Sequence, residues 1–180
     1  IHGYGVTPAQ PFWQQKALIA LEWMVGRVTT HWIAVSQADR RQGIEWGLFT
    51  ASKVSVVRPG IDPTAFAARI ESTERDRLRA MLGVGPDQLL VGTVSCLKPQ
   101  KSPEDFVRVA ALVCQRVPAA RCVLVGDGAL RPKVEALLLA QGLQDRVTLL
   151  GWRRDVAALL KAFDVFVLTS QWEGLPCAIL

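Results

Sequence analysis

Residues 89–125 read LLVGTVSCLKPQKSPEDFVRVAALVCQRVPAARCVLV, and this stretch decides the fold class. Its first six residues form an apolar, β-branched run that is typical of a strand buried on both faces. Ser102-Pro103-Glu104-Asp105 predicts a helix start, because serine caps helices, proline suits the first turn and acids complement the helix dipole. Apolar residues keep helical spacing from 106 to 113, and a second strand is predicted at residues 121–125.

The same alternation continues toward the carboxyl end of the chain. A second helix is predicted over residues 130–140, stopped by Gly142, and a third strand over residues 147–150. A short helix at 156–162 and a fourth strand at 165–168 follow. This order predicts an α/β fold with parallel strands in an open doubly wound sheet. Because such sheets bind ligands at the carboxyl ends of their strands, the loops there form the candidate site.

The first part of the chain predicts a separate set of elements. Helices are expected over residues 11–28 and 37–46, and strands over residues 32–35 and 54–57. The polar stretch 67–79 is expected to be helical and to link the two blocks.

Composition narrows the class of ligand. The chain has 50% hydrophobic and 21% charged residues, which is typical of a globular protein. Its net charge of +5 suits anionic ligands. Because the arginines are scattered, with only short pairs such as Arg40-Arg41, we expect no nucleic-acid partner.

Four cysteines and the hydropathy pattern bear on the compartment. Cys96, Cys114, Cys122 and Cys177 lack the spacing of a metal site, so we expect no metal, no disulfide and a reducing, cytoplasmic location. The apolar run at 17–25 is interrupted by Glu22 and is too short to span a bilayer. The chain begins at Ile1 without a signal-peptide pattern, and we expect it to be a fragment.

Two loops carry candidate ligand groups. Gly126-Asp127-Gly128 stands between a strand and a helix, where glycines let backbone amides approach a ligand; an ordinary tight turn explains the pattern equally well. Lys98 and Lys101 follow the first strand of the sheet, where two ammonium groups suit a diphosphate, although ordinary exposed lysines fit too.

The stretch from Ser170 to Pro176 is the most informative. Glu173 follows a predicted buried strand, and Gly174 and then Pro176 stand where a helix should begin. A carboxylate that accepts hydroxyl hydrogen bonds, beside helix-terminal amides that bind an anion, is what a sugar nucleotide needs. A capped helix with a surface glutamate remains the alternative.

Taken together, these motifs resemble the GT-B glycosyltransferases of family 4, and the resemblance covers nearly the whole chain. It rests on eight pieces in the family's order: His2-Gly3, Ile33-Ala34-Val35-Ser36, Val57-Arg58-Pro59-Gly60-Ile61-Asp62, Leu97–Lys101, Leu124-Val125-Gly126-Asp127-Gly128, Arg146–Gly151, Asp164–Ser170 and Glu173-Gly174-Leu175-Pro176.

The resemblance implies two Rossmann-like domains. Residues 1–70 would end the N-terminal acceptor domain, residues 71–87 would form a linker, and residues 88–180 would begin the C-terminal donor domain. The implied reaction moves a sugar from a nucleotide-diphosphate donor to a saccharide or lipid-linked acceptor, with retention of configuration and no metal or other cofactor. The usual setting of such enzymes implies peripheral contact with the inner face of the membrane, and we expect the fragment alone to be inactive.

The resemblance also assigns roles to residues. Lys101 matches the lysine that holds the diphosphate, Glu173 opens the Glu-x7-Glu motif and contacts the sugar hydroxyls, and His2 lies near the transferred sugar. The implied donor-binding positions are Lys98, Gly126, Gly128, Trp152, Arg153, Gly174, Leu175 and Pro176.

Three departures from the family pattern stand out. Cys96 occupies the position of an arginine that usually accompanies the lysine, and Lys98 is the nearby candidate to supply that charge. Pro59 replaces an asparagine in a turn. The second glutamate of the motif would follow Leu180, the last residue.

Two other classes of protein remain open. A non-catalytic GT-B-like binding or regulatory protein is favoured by Cys96 in place of arginine. A dinucleotide-dependent Rossmann enzyme would need GxGxxG after the first strand, where this chain has Ser95-Cys96-Leu97-Lys98.

Overall fold

The computed structural model describes residue 1 and residues 3–7, 10–67 and 71–180. These residues form two compact units. The first unit contains residues 1–61 together with residues 173–180, and the second contains residues 62–172.

The second unit is built on a four-stranded parallel sheet. Its strands are β3 (Leu89–Val94), β4 (Ala120–Val125), β5 (Val147–Gly151) and β6 (Val165–Phe166). They lie in the order β5-β4-β3-β6, so the chain adds two strands on one side of β3 and then returns to its other side. The predicted doubly wound α/β sheet is confirmed. Its topological switch point, where such sheets bind ligands, lies between β3 and β6.

Helices cover both faces of this sheet because strand side chains alternate in direction. On one face α5 (Pro103–Arg116) and α6 (Arg131–Ala140) pack over a core that contains Phe106, Leu124 and Val134. On the other face, α4 (Ser72–Met81) and α7 (Val156–Ala162) lie over Leu90 and Val123. Continuous apolar strands are therefore required, as the sequence of β3 and β4 predicts.

Helix α4 lies within residues 71–87, which were predicted to be a linker, and ion pairs attach it to the rest of the second unit. Arg79 is buried and donates to the Asp164 carboxylate at 2.9 Å, while Arg75 donates to the same carboxylate at 2.7 Å. Asp164 also accepts from the amide of Leu90 at 2.7 Å. Burial tends to raise the pKa of Asp164, but these hydrogen bonds outweigh it and lower that pKa. Helix α3 (Thr64–Ala67) precedes α4 in the same unit.

The first unit contains helix α1 (Phe12–Val28), strand β1 (Trp32–Ala34), helix α2 (Gln37–Glu45) and strand β2 (Val54–Val56). Strands β1 and β2 pair in parallel. The carbonyl oxygen of Ile1 accepts from the amide of Val35 at 3.1 Å, so the start of the chain runs beside β1. The core of this unit includes Ala34, Leu48, Phe49 and Val54.

Three local predictions are corrected by the structure. Ser102 precedes α5 but does not cap it; its backbone is left-handed (φ 45°), and its hydroxyl donates to the Asp105 carboxylate at 2.6 Å. The strand expected over residues 165–168 is shorter in the structure, because β6 ends at Phe166. The amide of Val167 adds one backbone hydrogen bond to the carbonyl of Gly92. The helix expected at Pro176 is a short 3₁₀ turn, Cys177–Ile179.

Candidate functional site

The switch point of the second unit brings two loops together. The hydroxyl of Thr169 donates to the carbonyl oxygens of Lys101 at 3.1 Å and of Ser102 at 3.0 Å. The amide of Gln171 donates to the carbonyl of Gln100 at 2.8 Å, and the Gln100 side chain donates to the carbonyl of Trp172 at 2.9 Å. The chain that follows β3 is therefore fixed against the chain that follows β6. The sequence placed Thr169 and Gln100 within the candidate segments but gave them no role, because no motif marks a hydrogen bond between distant loops.

Lys98 and Lys101 lie on the β3 side of the switch point, on and beside the 3₁₀ turn Pro99–Lys101. Lys98 is exposed, whereas Lys101 is half-buried. The Thr169 contacts fix the backbone from which the Lys101 side chain starts. A cation on an anchored backbone loses less freedom when it binds an anion, which suits Lys101 to a diphosphate.

The glycines of Gly126-Asp127-Gly128 are required by loop packing. A Cβ atom on Gly126, whose φ is +128°, would lie 2.0 Å from the carbonyl oxygen of Ser95. One on Gly128 would lie 2.6 Å from the carbonyl oxygen of Leu97. The amide of Leu97 donates to the carbonyl of Asp127 at 2.9 Å, which ties the two loops together. Close loop packing thus accounts for both glycines, and their contact with a ligand stays a prediction.

Arg131 and Arg153, which follow β4 and β5 at the carboxyl edge of the sheet, both form ion pairs. Arg131 donates to the Asp127 carboxylate at 2.9 Å and to Glu135 at 2.8 Å. The hydrogen bond to Glu135, and then that to Asp127, raise the Arg131 pKa. Arg153 makes two hydrogen bonds to Asp155, at 2.8 and 2.6 Å, and they lower the pKa of that carboxylate.

Trp152 and Arg153 follow β5, in the loop assigned to the nucleotide base. The carbonyl of Gly151 accepts from the amide of Gly126 at 2.8 Å, so this loop lies beside the glycine loop. Trp152 is 76% exposed. An exposed indole offers a stacking surface for a planar ring, and contact of Trp152 with a nucleotide base stays a prediction.

The remaining candidates lie in the first unit. Residues Glu173–Leu180 pack there, and a Cβ atom on Gly174 would lie 3.1 Å from Oδ2 of Asp39 and 3.2 Å from the amide nitrogen of Gly3. Glu173, Leu175 and Pro176 are partly exposed beside it. His2 lies outside the described residues.

The family model for glycosyl transferases group 1 matches residues 74–180, more than half of the chain. The chain belongs to this family. The match begins within α4 and includes β3 to β6 with all the loops of the switch point.

Relatives and solved structures match the first unit of the chain as well. The chain is 35% identical, over its full length and 47% of the relative, to the UDP-Gal:alpha-D-GlcNAc-diphosphoundecaprenol alpha-1,3-galactosyltransferase of Escherichia coli. HepE of Anabaena, solved with UDP and glucose, has a TM-score of 0.77 and 26% identity over 94% of this chain and 45% of HepE. WaaG, a glycosyltransferase involved in lipopolysaccharide biosynthesis, has a TM-score of 0.73 at 20% identity, over 89% of this chain and 44% of WaaG, and shows the fold alone.

These similarities confirm the predicted GT-B fold and the glycosyltransferase class, and they do not favour a dinucleotide-dependent enzyme or a non-catalytic relative. The chain spans about half the length of the relatives it matches. Within the described part of the chain, no helix is long and apolar enough to cross a membrane. The same residues contain no group of three or more His, Cys, Asp or Glu placed to hold a metal ion.

Proposed function

We propose that the whole protein, called the full chain below, is a retaining GT-B glycosyltransferase of family 4 that moves a sugar from a nucleotide-diphosphate donor to a saccharide or lipid-linked acceptor. The observation that carries this proposal is the switch point of the second unit. There Lys98 and Lys101 stand on a loop that is anchored to the chain after β6, in a domain that matches the glycosyl transferases group 1 family.

The chemistry follows from the charge of the leaving group. When the bond between sugar and diphosphate breaks, negative charge grows on the phosphate oxygens, and a positioned cation stabilises the transition state more than the ground state. Lys101 supplies that cation in this proposal, in which no metal or other cofactor takes part. Glu173 accepts hydrogen bonds from the sugar hydroxyls, while the amides of Gly174 and Leu175, ahead of Pro176, bind the donor. The proposed role of His2, beside the transferred sugar, concerns a residue outside the described part of the chain.

The donor contains UDP in this proposal. The E. coli relative is named for UDP-Gal, and HepE was solved with UDP, which supports a uridine nucleotide. Trp152 stacks on the base and Arg153 borders it, while the loop that contains Gly126 and Gly128 lies near the phosphates. A polyprenyl-diphosphate saccharide is the proposed acceptor, because the E. coli relative is named for an acceptor of that class.

A donor screen of the full chain tests this function. Calorimetry with UDP, GDP and ADP is expected to show binding of UDP alone, and incubation with UDP-hexoses and a polyprenyl-diphosphate saccharide is expected to give a product with the anomeric configuration of the donor. An inverted product would contradict retention. UDP binding without turnover on any acceptor would favour the non-catalytic alternative that Cys96 suggests.

Lys98 is expected to supply the charge that Cys96 lacks. Its exposed ammonium stands on the same loop, two residues along, and a flexible four-carbon stem lets it reach a phosphate. In the full chain, Lys98→Ala is therefore expected to raise the Kd for UDP about tenfold, which corresponds to about 1.4 kcal/mol. Calorimetry measures this, and wild-type affinity in the variant would remove Lys98 from the site. Lys53→Ala, an exposed lysine of the first unit, is the matched control.

Peripheral contact with the cytoplasmic face of the membrane is part of the proposal and is supported by helix α1. Trp13, Leu21, Met24 and Val28 are exposed along one stripe of this helix. Cations flank it, since Arg27 stacks on Trp23 at 4.0 Å and Lys16 lies 5.2 Å from the ring of Phe12. Apolar residues beside cations suit an anionic bilayer surface.

A vesicle experiment separates this role from burial of the stripe by another part of the full chain. Full chain carrying Trp13→Ser and Met24→Ser is expected to sediment less with vesicles that contain anionic lipid, with an unchanged melting temperature. A lower melting temperature with unchanged sedimentation would instead place the stripe in a protein interior.

A further inference from the structure

The first turn of α2 is the meeting point of three segments of the first unit that are far apart in sequence. Ser36 precedes the helix, and its hydroxyl accepts from the amide of Asp39 at 3.0 Å and donates to Oδ2 of Asp39 at 2.7 Å. Asp39 is only 8% exposed. A carboxylate this buried at an ordinary helix start is uncommon, since acids of the first turn usually stand in solvent.

The Asp39 carboxylate lies against the turn that contains Gly174. A Cβ atom on Gly174 would lie 3.1 Å from Oδ2 of Asp39, 3.2 Å from the amide nitrogen of Gly3 and 3.3 Å from Cγ2 of Val35. Contacts below 3.4 Å are tighter than most real Cβ contacts. Only glycine therefore fits without moving its neighbours, and the turn rests directly on the carboxylate.

Tyr4 ties the segment that contains Gly3 to the same residue. Its hydroxyl donates to the backbone carbonyl of Asp39 at 2.7 Å. Gly43 makes room for it, because a Cβ atom there would lie 2.3 Å from the Tyr4 oxygen. Burial, with help from the charges of Asp39 and Glu22, raises the pKa of Tyr4 to about 12, so the hydroxyl remains a donor near neutral pH.

We propose that Asp39 and Tyr4 are positioning residues that hold both the Gly174 turn and the Gly3 segment against the first turn of α2. Glu173 precedes Gly174, so the position of that glycine also fixes the backbone from which the Glu173 side chain starts. The kinetic consequence rests on the proposed function, whereas the positioning itself does not. Neither residue needs to touch a substrate for this role.

Hydrogen–deuterium exchange of the full chain tests the positioning without any assay of activity. Asp39→Ala is expected to speed exchange in the peptide that covers residues 173–180, and Tyr4→Phe in the peptide that covers residues 3–7, each by about tenfold or more. Asp39→Asn, which keeps the size and the contact with Ser36, is expected to restore slow exchange. Glu45→Ala, an exposed acid on the same helix, is the control. Unchanged exchange at residues 173–180 in Asp39→Ala would overturn the proposal.

A kinetic cycle tests the consequence for turnover. Asp39→Ala is expected to lower kcat by roughly tenfold to a hundredfold and to raise the Kd for the donor by a smaller factor, since small misplacements of reacting groups have effects of this size on turnover. Gly174→Ala is also expected to lower kcat, because its Cβ would lie 3.1 Å from Oδ2 of Asp39. Adding Asp39→Ala removes that contact and should restore part of the lost kcat. If the fold-losses of kcat in the two single variants simply multiply in the double variant, the proposed coupling is overturned. Absence of turnover in the wild type would contradict the proposed function and leave the exchange experiment as the deciding test.

Discussion

Lys101→Ala in the full chain is expected to lower kcat about a hundredfold, because the departing diphosphate loses a positioned cation. The Lys101 backbone is fixed by Thr169, whose hydroxyl donates to its carbonyl at 3.1 Å, so the ammonium starts from a defined point at the switch of the sheet. A cation that stabilises charge as it develops contributes mainly to kcat, and the Kd for UDP should change less than turnover does.

Steady-state turnover with the best donor of the screen, together with calorimetry on UDP, measures both effects of Lys101→Ala. Lys133→Ala is the matched control, since this lysine belongs to the same unit, is 68% exposed and pairs with Glu104 at 2.9 Å. Turnover near the wild-type level in Lys101→Ala would contradict the assignment of the diphosphate site. A hundredfold loss in Lys133→Ala as well would show that the assay reports the overall charge of the domain.

The strands and helices of the second unit were predictable because their signals are local. Residues 89–94 are apolar on both faces of the strand, and the helix after them begins at a proline followed by two acids, where the structure begins α5. The weakest prediction concerned β6. Val167 and Leu168 look like strand residues, but only Val165 and Phe166 pair with β3, since a short strand beside the switch point soon turns into the loop fixed by Thr169.

The candidate site was less predictable because its geometry depends on contacts between distant residues. Gly126 and Gly128 were visible in the sequence, but the reason for them, the backbone of Ser95 and Leu97 packed against their Cα atoms, was not. The place of the Gly174 turn against Asp39 likewise needs a fold to bring residues so far apart in sequence together. Composition and motifs thus indicate which residues are candidates, whereas the structure explains why small residues occupy these positions.

Asp164→Ala is expected to destabilise the second unit by about 3 kcal/mol. The substitution leaves the Arg79 guanidinium, whose side chain is 5% exposed, without its carboxylate, and it leaves the Leu90 amide of β3 without an acceptor. Arg79 keeps its bonds to the carbonyls of Ala162 and Gln88, which places the effect at the lower end for a broken buried ion pair. Urea unfolding of the full chain, followed by a probe in the second unit, measures the loss, and Asp87→Ala, an exposed acid of the same unit, is the control.

The pH dependence of Asp164→Asn separates the charge of this group from its packing. Hydrogen bonds lower the pKa of Asp164 in the folded state below the ordinary 3.8, so its carboxylate stabilises the fold at any pH above that ordinary value. This stabilisation is lost as the pH falls through the lowered folded-state pKa, because the protonated acid no longer pairs with Arg79. The difference in unfolding free energy between wild type and Asp164→Asn should therefore be constant from neutral pH down to about 5 and shrink in more acidic solution. A difference that is independent of pH down to the acid limit of folding would mean that Asp164 stabilises α4 on the sheet through hydrogen-bond geometry alone.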